Sequence, residues 1–251
     1  AVEVAVKPGA ADGYSEAARL LGQQGYLVPQ PYLDEIGTHP VAIDPYDTAI
    51  AIDYKLDWRP MPVFQSYVAY TPYLDDLNAR AAQDAPGDQY VLRRAVPPVD
   101  GRNTVWETPA YLMTLACDYT RVIGDVSWTL LRHSPEPHCE GPQDAGSVDV
   151  TGGRPVKVPE AGPDEMVVAR FDPDPPGMLT KLFHAALKDF SPYKILVDGV
   201  PYRIPEALAT QDVMVTYPDQ GELGLFAPFR SGTLSYPNDG SVHFSTIKLD
   251  Q

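Results

Sequence analysis

Positive charge is scarce in this chain. Its 251 residues carry 19 Lys and Arg against 34 Asp and Glu, a formal net charge of −15. Neutralising a phosphate backbone needs clustered Lys and Arg, and the longest basic run is Arg93-Arg94. Nucleic acid is therefore excluded as a partner, and an anionic membrane surface would repel the chain. Long apolar runs are missing too: no stretch approaches the roughly eighteen residues of a spanning helix, and no secretory leader is visible. The first residue is Ala1 rather than Met. We read the chain as a mature segment from which a leader or membrane portion has been removed.

Signature motifs of common enzyme classes are absent as well. The chain has no GxSxG, no GxxxxGK[ST] and no GxGxxG, so serine-hydrolase, P-loop and dinucleotide chemistry lose their usual support. No cofactor is expected, and no catalytic residue is assigned. The acids Asp44, Asp47, Asp53 and Asp57 invite a paired-carboxylate reading, but their spacing suits helix caps and a solvated face better. No DxDxDG calcium loop occurs, although Asp172 and Asp174 stand close together in FDPDPPG.

Cysteine is reduced to two, Cys117 and Cys139. Cys139 lies in HSPEPHCEGP, a polar, Pro-rich loop where a thiol is exposed unless paired. A Cys117–Cys139 disulfide would close a loop of about twenty residues and contribute about 3 kcal/mol. It would also place the chain outside the cytoplasm. His133, His138 and Cys139 are zinc-type ligands, but a fourth is missing. The expectation is a disulfide beside solvated histidines, with no metal.

What is plentiful is apolar material, 44% of residues, and proline, 27 residues. The first suffices for a real core. The second marks a boundary at 134–163, rich in Pro, Gly, Ser and Asp and interrupted only by the alternating pieces SVDV and PVKV. Before it, helix-like and strand-like segments alternate. Tyr14–Gln24 has helical spacing with Asp12 and Ser15 as caps. His39–Asp44 is a short apolar strand. Pro45–Leu56 fits either element, with Pro45 and Asp47 favouring a helix. Trp58–Phe64 reads as extended, with Pro60 and Pro62 arguing against a central strand. Thr71–Gln83 is a helix capped by Thr71 with Pro72 in first place. Gln89–Val96 is a strand, Thr108–Val122 a helix, and Ser127–His133 a strand. The order predicts a largely parallel sheet with covering helices. After the boundary come short β-rich runs and one helical run, Met178–Phe190. Val197–Val200, with Asp-Gly between apolar residues, is a hairpin signal. We therefore expect an α/β domain over 1–138 and an all-β, sandwich-like domain over 139–251.

In an open α/β sheet, ligands bind beyond the carboxyl ends of the strands. Three of the expected strands end in suitable groups: Asp44 after the first, Gln65, Ser66 and Tyr67 after the second, Asp100-Gly101-Arg102 after the third. Trp106 and Glu107 follow in the same loop. Carboxylates, amides and aromatic faces together suit a sugar ring, which needs hydroxyl partners and an apolar platform. The candidate ligand-binding set is Asp44, Gln65, Tyr67, Tyr70, Asp100 and Arg102. The competing reading is purely local: Tyr70 and Thr71 start the next helix, Asp44 caps Pro45, and Asp100-Gly101 makes a turn. The aromatics of the tail, Tyr193, Tyr202, Tyr217, Phe226, Phe229, Tyr236 and Phe244, fit a second glycan platform or a core.

The run VAIDPYDTAIAIDYKLDWRPMPVFQSYVAYTPYLDDLNA, followed by APGDQYVLRR and VDGR, resembles uncharacterised bacterial polytopic membrane proteins that look like glycosyltransferase-type proteins of the cell envelope. The resemblance covers about a quarter of the chain. It implies an extracytoplasmic domain tethered by a membrane-embedded part of the same polypeptide and lying near envelope glycans. It assigns no catalytic residue. The expected function is an accessory or substrate-handling domain that binds glycan. A stand-alone carbohydrate-active enzyme and a purely structural domain remain the alternatives.

Overall fold

The computed structural model describes residues 10–98, 100–175, 193–218 and 229–249. The helical run expected over Met178–Phe190, and Phe226, lie outside the described residues.

The first half holds α1 (Ala10–Tyr26), α2 (Gln30–Ile36), β1 (Pro40–Asp44), α3 (Ala49–Asp53), β2 (Asp57–Trp58), α4 (Pro72–Gln83), β3 (Tyr90–Arg94), α5 (Pro109–Asp118), β4 (Tyr119–Gly124) and β5 (Trp128–His133). The strands form one sheet in the order β2-β1-β3-β5-β4. β2, β1 and β3 run parallel, whereas β5 is antiparallel to both β3 and β4. The sheet is mixed, with its parallel part where the helices cross over.

Four local expectations shift. α1 spans Ala10–Tyr26, so Asp12 and Ser15 fall within the helix rather than ahead of it. α3 is a single short turn that starts only at Ala49, not at Pro45. The second strand is two residues long and sits at the sheet edge; Pro60 and Pro62, which lack amide donors, follow it directly. The helix expected to reach Val122 stops at Asp118, and Tyr119 opens β4 instead. The aromatic and β-branched residues of YTRVI favour a pleated surface over another helical turn.

The second half is two antiparallel sheets. One, in the order β12-β11-β8-β14-β6, comprises β6 (Gln143–Val150), β8 (Glu165–Pro173), β11 (Val213–Tyr217), β12 (Phe229–Arg230) and β14 (Gly240–Lys248). The other, in the order β10-β9-β13-β7, comprises β7 (Val156–Lys157), β9 (Lys194–Val197), β10 (Val200–Arg203) and β13 (Thr233–Ser235). A short helix, α6 (Glu206–Ala209), joins them. SVDV and PVKV supply edge strands to the two sheets. Asp198 and Gly199 turn the β9–β10 hairpin with positive φ of 50° and 78°, the geometry that Asp-Gly favours.

Alternation along β8 explains the layering. Val167, Ala169 and Phe171 pack with Ile195, Val197 and Leu234 of the facing sheet. Met166 and Val168, on the other side, meet Tyr111, Leu112 and Leu115 of α5. That same cluster includes Ala42, Val91 and Leu131 of the first sheet. Helix α5 thus lies between the mixed sheet and the sandwich. The far side of the mixed sheet packs Val41, Ile43 and Leu92 on α2 and α3 through Ile36, Ile50 and Ala51. Cys117, near the end of α5, is bonded to Cys139, and Cys139 itself bridges to Leu249 beyond β14. Among the described residues, no helix is long and apolar enough to cross a membrane.

Candidate functional site

β1 and β3 end within one residue of each other. Asp44 and Arg93 are register partners, and Nη1 of Arg93 donates to the Asp44 carboxylate. Both side chains are buried, 6% and 8% exposed. Burial pushes the Asp44 carboxyl above its ordinary range, and the Arg93 guanidinium pulls it back. One residue on, Arg94 donates to Asp47 at 2.9 Å, with its guanidinium over the rings of Tyr26 and Trp128.

The loop after β2 docks on this edge. The Ser66 amide donates to Pro45 O at 2.9 Å. Ser66 Oγ donates to Glu107 Oε2 at 2.8 Å within the protein interior. Arg102 completes the arrangement: Nε lies 3.6 Å from Glu107 Oε1, Nη1 donates to Tyr67 O at 2.9 Å, and the guanidinium sits 5.3 Å from the Tyr70 ring centre. Upstream, Asn78 of α4 grips Val63 through both backbone groups, at 2.8 and 2.9 Å. The backbone of the loop is therefore fixed from beneath by buried polar groups.

Aromatic side chains of this loop and of the first turn of α4 are exposed. Phe64, Tyr67, Tyr70 and Tyr73 are 46%, 37%, 52% and 66% exposed. Tyr67 is steadied by an edge contact with Tyr46 and by donation from its hydroxyl to Gln65 Oε1 at 3.1 Å. Phe64 meets the edge of Trp58.

Gln65, Tyr67, Tyr70 and Arg102 are thus linked by contacts in one loop region that docks beside the end of β1, whereas Asp44 is buried against Arg93 and touches none of them. Asp100 is directed elsewhere: its carboxylate is held by Arg203 of β10. Glu107, given no role from the sequence, is the buried hub of the site. Its position beside Trp106 in the loop after Arg102 was the available signal. The tail aromatics divide differently: Tyr217, Tyr236 and Phe244 are core residues, and Tyr236 stacks on Phe171 at 4.3 Å. Among the described residues, no group of three or more His, Cys, Asp or Glu is placed to hold a metal ion.

A cleft of about 830 Å³ opens on the other side of the 100–108 loop. Arg93, Trp106, Arg121, Thr129, Tyr202 and Arg230 are among its lining residues. None of the six residues named from the sequence lines it.

Comparison of the chain with protein-family models, with curated proteins and with solved structures gives no match.

Proposed function

We propose that the protein is a glycan-binding, non-catalytic domain of a cell-envelope protein, working beside a membrane-embedded part of the same polypeptide. The observation that carries the binding reading is the loop at 64–73, where four exposed aromatic rings ride on a backbone pinned by buried polar contacts. The four rings lie within ten residues of sequence, and exposed apolar residues gathered this closely favour an interaction site. Aromatic faces offer the apolar side of a sugar ring a flat platform, and Gln65 and Arg102 supply hydrogen-bonding groups at its margin. Pre-fixing the loop lowers the ordering cost of binding.

Glycoside hydrolysis needs two carboxyl groups facing the scissile bond. At this edge Asp44 and Glu107 are buried, at 4% and 5% exposure, and each faces an arginine. That disposition favours binding over turnover. The Cys117–Cys139 bond is consistent with an oxidising compartment outside the cytoplasm, and the resemblance over residues 41–102 supports the envelope and the tether.

The test is a glycan array of bacterial envelope saccharides, followed by calorimetry on hits. Wild type is expected to bind, and Tyr67→Ala, Tyr70→Ala and Gln65→Ala to weaken binding by about fivefold to tenfold each. No binding to any glycan, or equal binding by all three variants, overturns the reading. Turnover of a saccharide that a single carboxylate substitution abolishes would overturn its non-catalytic part.

A further inference from the structure

Strands at the edge of a sheet carry a row of unpaired amides and carbonyls, and proteins blunt them by shortness, proline or bulges. The described edges of this chain follow that rule, with one exception. β2, β7 and β12 are two residues long. β10 has four residues and carries Pro201. β4 is broken near its middle, where the register shifts between Arg121 and Ile123. The exception is β6, eight residues at the end of the order β12-β11-β8-β14-β6, with no proline and no lysine. Its bulge lies towards the start, at Ala145, where the register with β14 shifts. Asp144 accepts from the Gly146 amide there at 2.9 Å. From Gly146 to Val150 the pairing with β14 is regular, and the opposite side of the strand has no partner among the described residues.

The two faces of that edge differ. Val148 is the register partner of Val242, which lies in the sandwich core, yet Val148 is 42% exposed. Gly146, the partner of buried Phe244, adds open space on the same face: a Cβ there would meet nothing within 4 Å. The other face is acidic. Asp149 pairs with Ser241, and Ser241 with Asp172 of β8, so one row across three strands reads Asp-Ser-Asp. Both carboxylates belong to exposed residues, and among the described residues neither meets a cation. Arg170, on the same face of β8, is met by Asp212 at 3.9 Å.

We propose that β6 takes up an extended segment of a partner protein, one whose residues alternate apolar and basic, as a sixth strand of the sheet. In strand addition, backbone hydrogen bonds supply affinity and side chains at alternate positions supply selectivity. Alternation on the incoming strand puts its apolar residues over Val148 and the gap at Gly146. Its Lys or Arg residues then fall beside Asp149, where opposite charges on neighbouring strands attract. Overall charge points the same way, since at −15 the chain attracts cationic segments. A second copy would bring one acidic edge against another, which like charge opposes. This edge belongs to the sandwich and the aromatic loop sits beside the mixed sheet, so neither reading rests on the other.

Calorimetric titration of the full chain at low ionic strength with the peptide acetyl-KVKVKVK-amide tests the proposal. The controls are acetyl-EVEVEVE-amide and the block sequence acetyl-KKKKVVV-amide. The alternating basic peptide is expected to bind about tenfold or more tightly than either control, and more weakly as salt is added. Hydrogen exchange in the amides of 146–150 should slow when it binds. Asp149→Lys should weaken that binding about tenfold or more, and Val148→Ser about threefold to fivefold. Both positions are exposed, and surface substitutions of this kind leave folding intact. Absent binding, equal binding of the block sequence, protection that falls outside 143–150, or unchanged affinity in Asp149→Lys would each overturn the assignment. So would sedimentation showing that the chain alone forms a dimer in which those amides are already protected.

Discussion

Both carboxylate oxygens of Asp75 close on the start of α5, one accepting from the Ala110 amide at 2.8 Å and the other from the Tyr111 amide at 3.1 Å. The first amides of a helix have no partner within it, and a negative group there also meets the positive end of the helix dipole. Thr108, at the N-cap position, makes no capping side-chain bond. The cap comes from the neighbouring helix, which locks α4 to α5.

This cap makes stability pH-dependent. Burial, the largest influence, raises the Asp75 pKa to about 6, against the pull of the two amides. The folded state then holds a proton that the unfolded chain, ionising near 3.8, has released. The contribution is fully favourable below the unfolded value and is lost as pH rises towards 6. Asp75→Asn keeps one acceptor and cannot ionise. Urea melts at pH 4 and pH 7 should show wild type losing about 2 kcal/mol more than Asp75→Asn over that interval. Asp75→Ala, which loses both bonds, should be destabilised by about 1–3 kcal/mol at pH 4. Identical pH slopes in wild type and Asp75→Asn would refute the account.

Residues whose partners are near in sequence were the legible ones. Thr71 accepts from Leu74 N, as the Thr-Pro start implies. The Asp198-Gly199 turn, the edge position of β2 and the disulfide follow equally from local chemistry or spacing. Thr108-Pro109 carries the same local signal as Thr71-Pro72, yet its cap is Asp75, over thirty residues upstream. No single-sequence pattern marks such a pairing. The antiparallel setting of β5 was hidden for a similar reason, because a strand's direction depends on its connection rather than its composition. The carboxyl edge was legible because strand ends can be read off. The cleft beyond the 100–108 loop was not, since β3, β4, β10 and β12 meet there only in the folded chain.

The disulfide should stabilise through the unfolded state. Cys117 and Cys139 are 22 residues apart, and closing such a loop removes about 3 kcal/mol worth of chain entropy from the denatured ensemble. Reduction, or Cys117→Ser with Cys139→Ser, should lower unfolding free energy by that amount in urea. Thiol titration of the denatured, non-reduced protein should find none free; two titratable thiols would contradict the bond.

Glu107 should matter more for stability than its loop position suggests. It faces Arg102, whose side chain is 14% exposed, and accepts from Ser66. Removing it leaves a largely buried guanidinium uncompensated, which costs about 3–5 kcal/mol. Glu107→Ala should be destabilised in that range and Glu107→Gln by less, because the amide still accepts from Ser66. Parallel loss of glycan binding in Glu107→Ala, with every aromatic ring intact, would show that the platform depends on the order beneath it. A melting midpoint unchanged in Glu107→Ala would rule out the hub role.

The pair Asp44–Arg93 allows a sharper test, because single and double substitutions should act in opposite senses. Two buried charges give up hydration that their attraction only partly restores, so an apolar pair of similar volume can replace them. Either charge alone is another matter. Arg93→Met strands the Asp44 carboxylate, whose pKa burial already raises, and the variant should recover stability as acid protonates it. Asp44→Leu removes the carboxylate that Arg93 Nη1 faces, and the guanidinium stays charged at any accessible pH. Each single variant should lose about 3–5 kcal/mol at pH 7, and Asp44→Leu with Arg93→Met should regain most of that loss. A double-mutant cycle by chemical denaturation measures the coupling. Simple additivity of the two losses would mean that the residues do not act as a pair, and that the carboxyl edge is held together by other contacts.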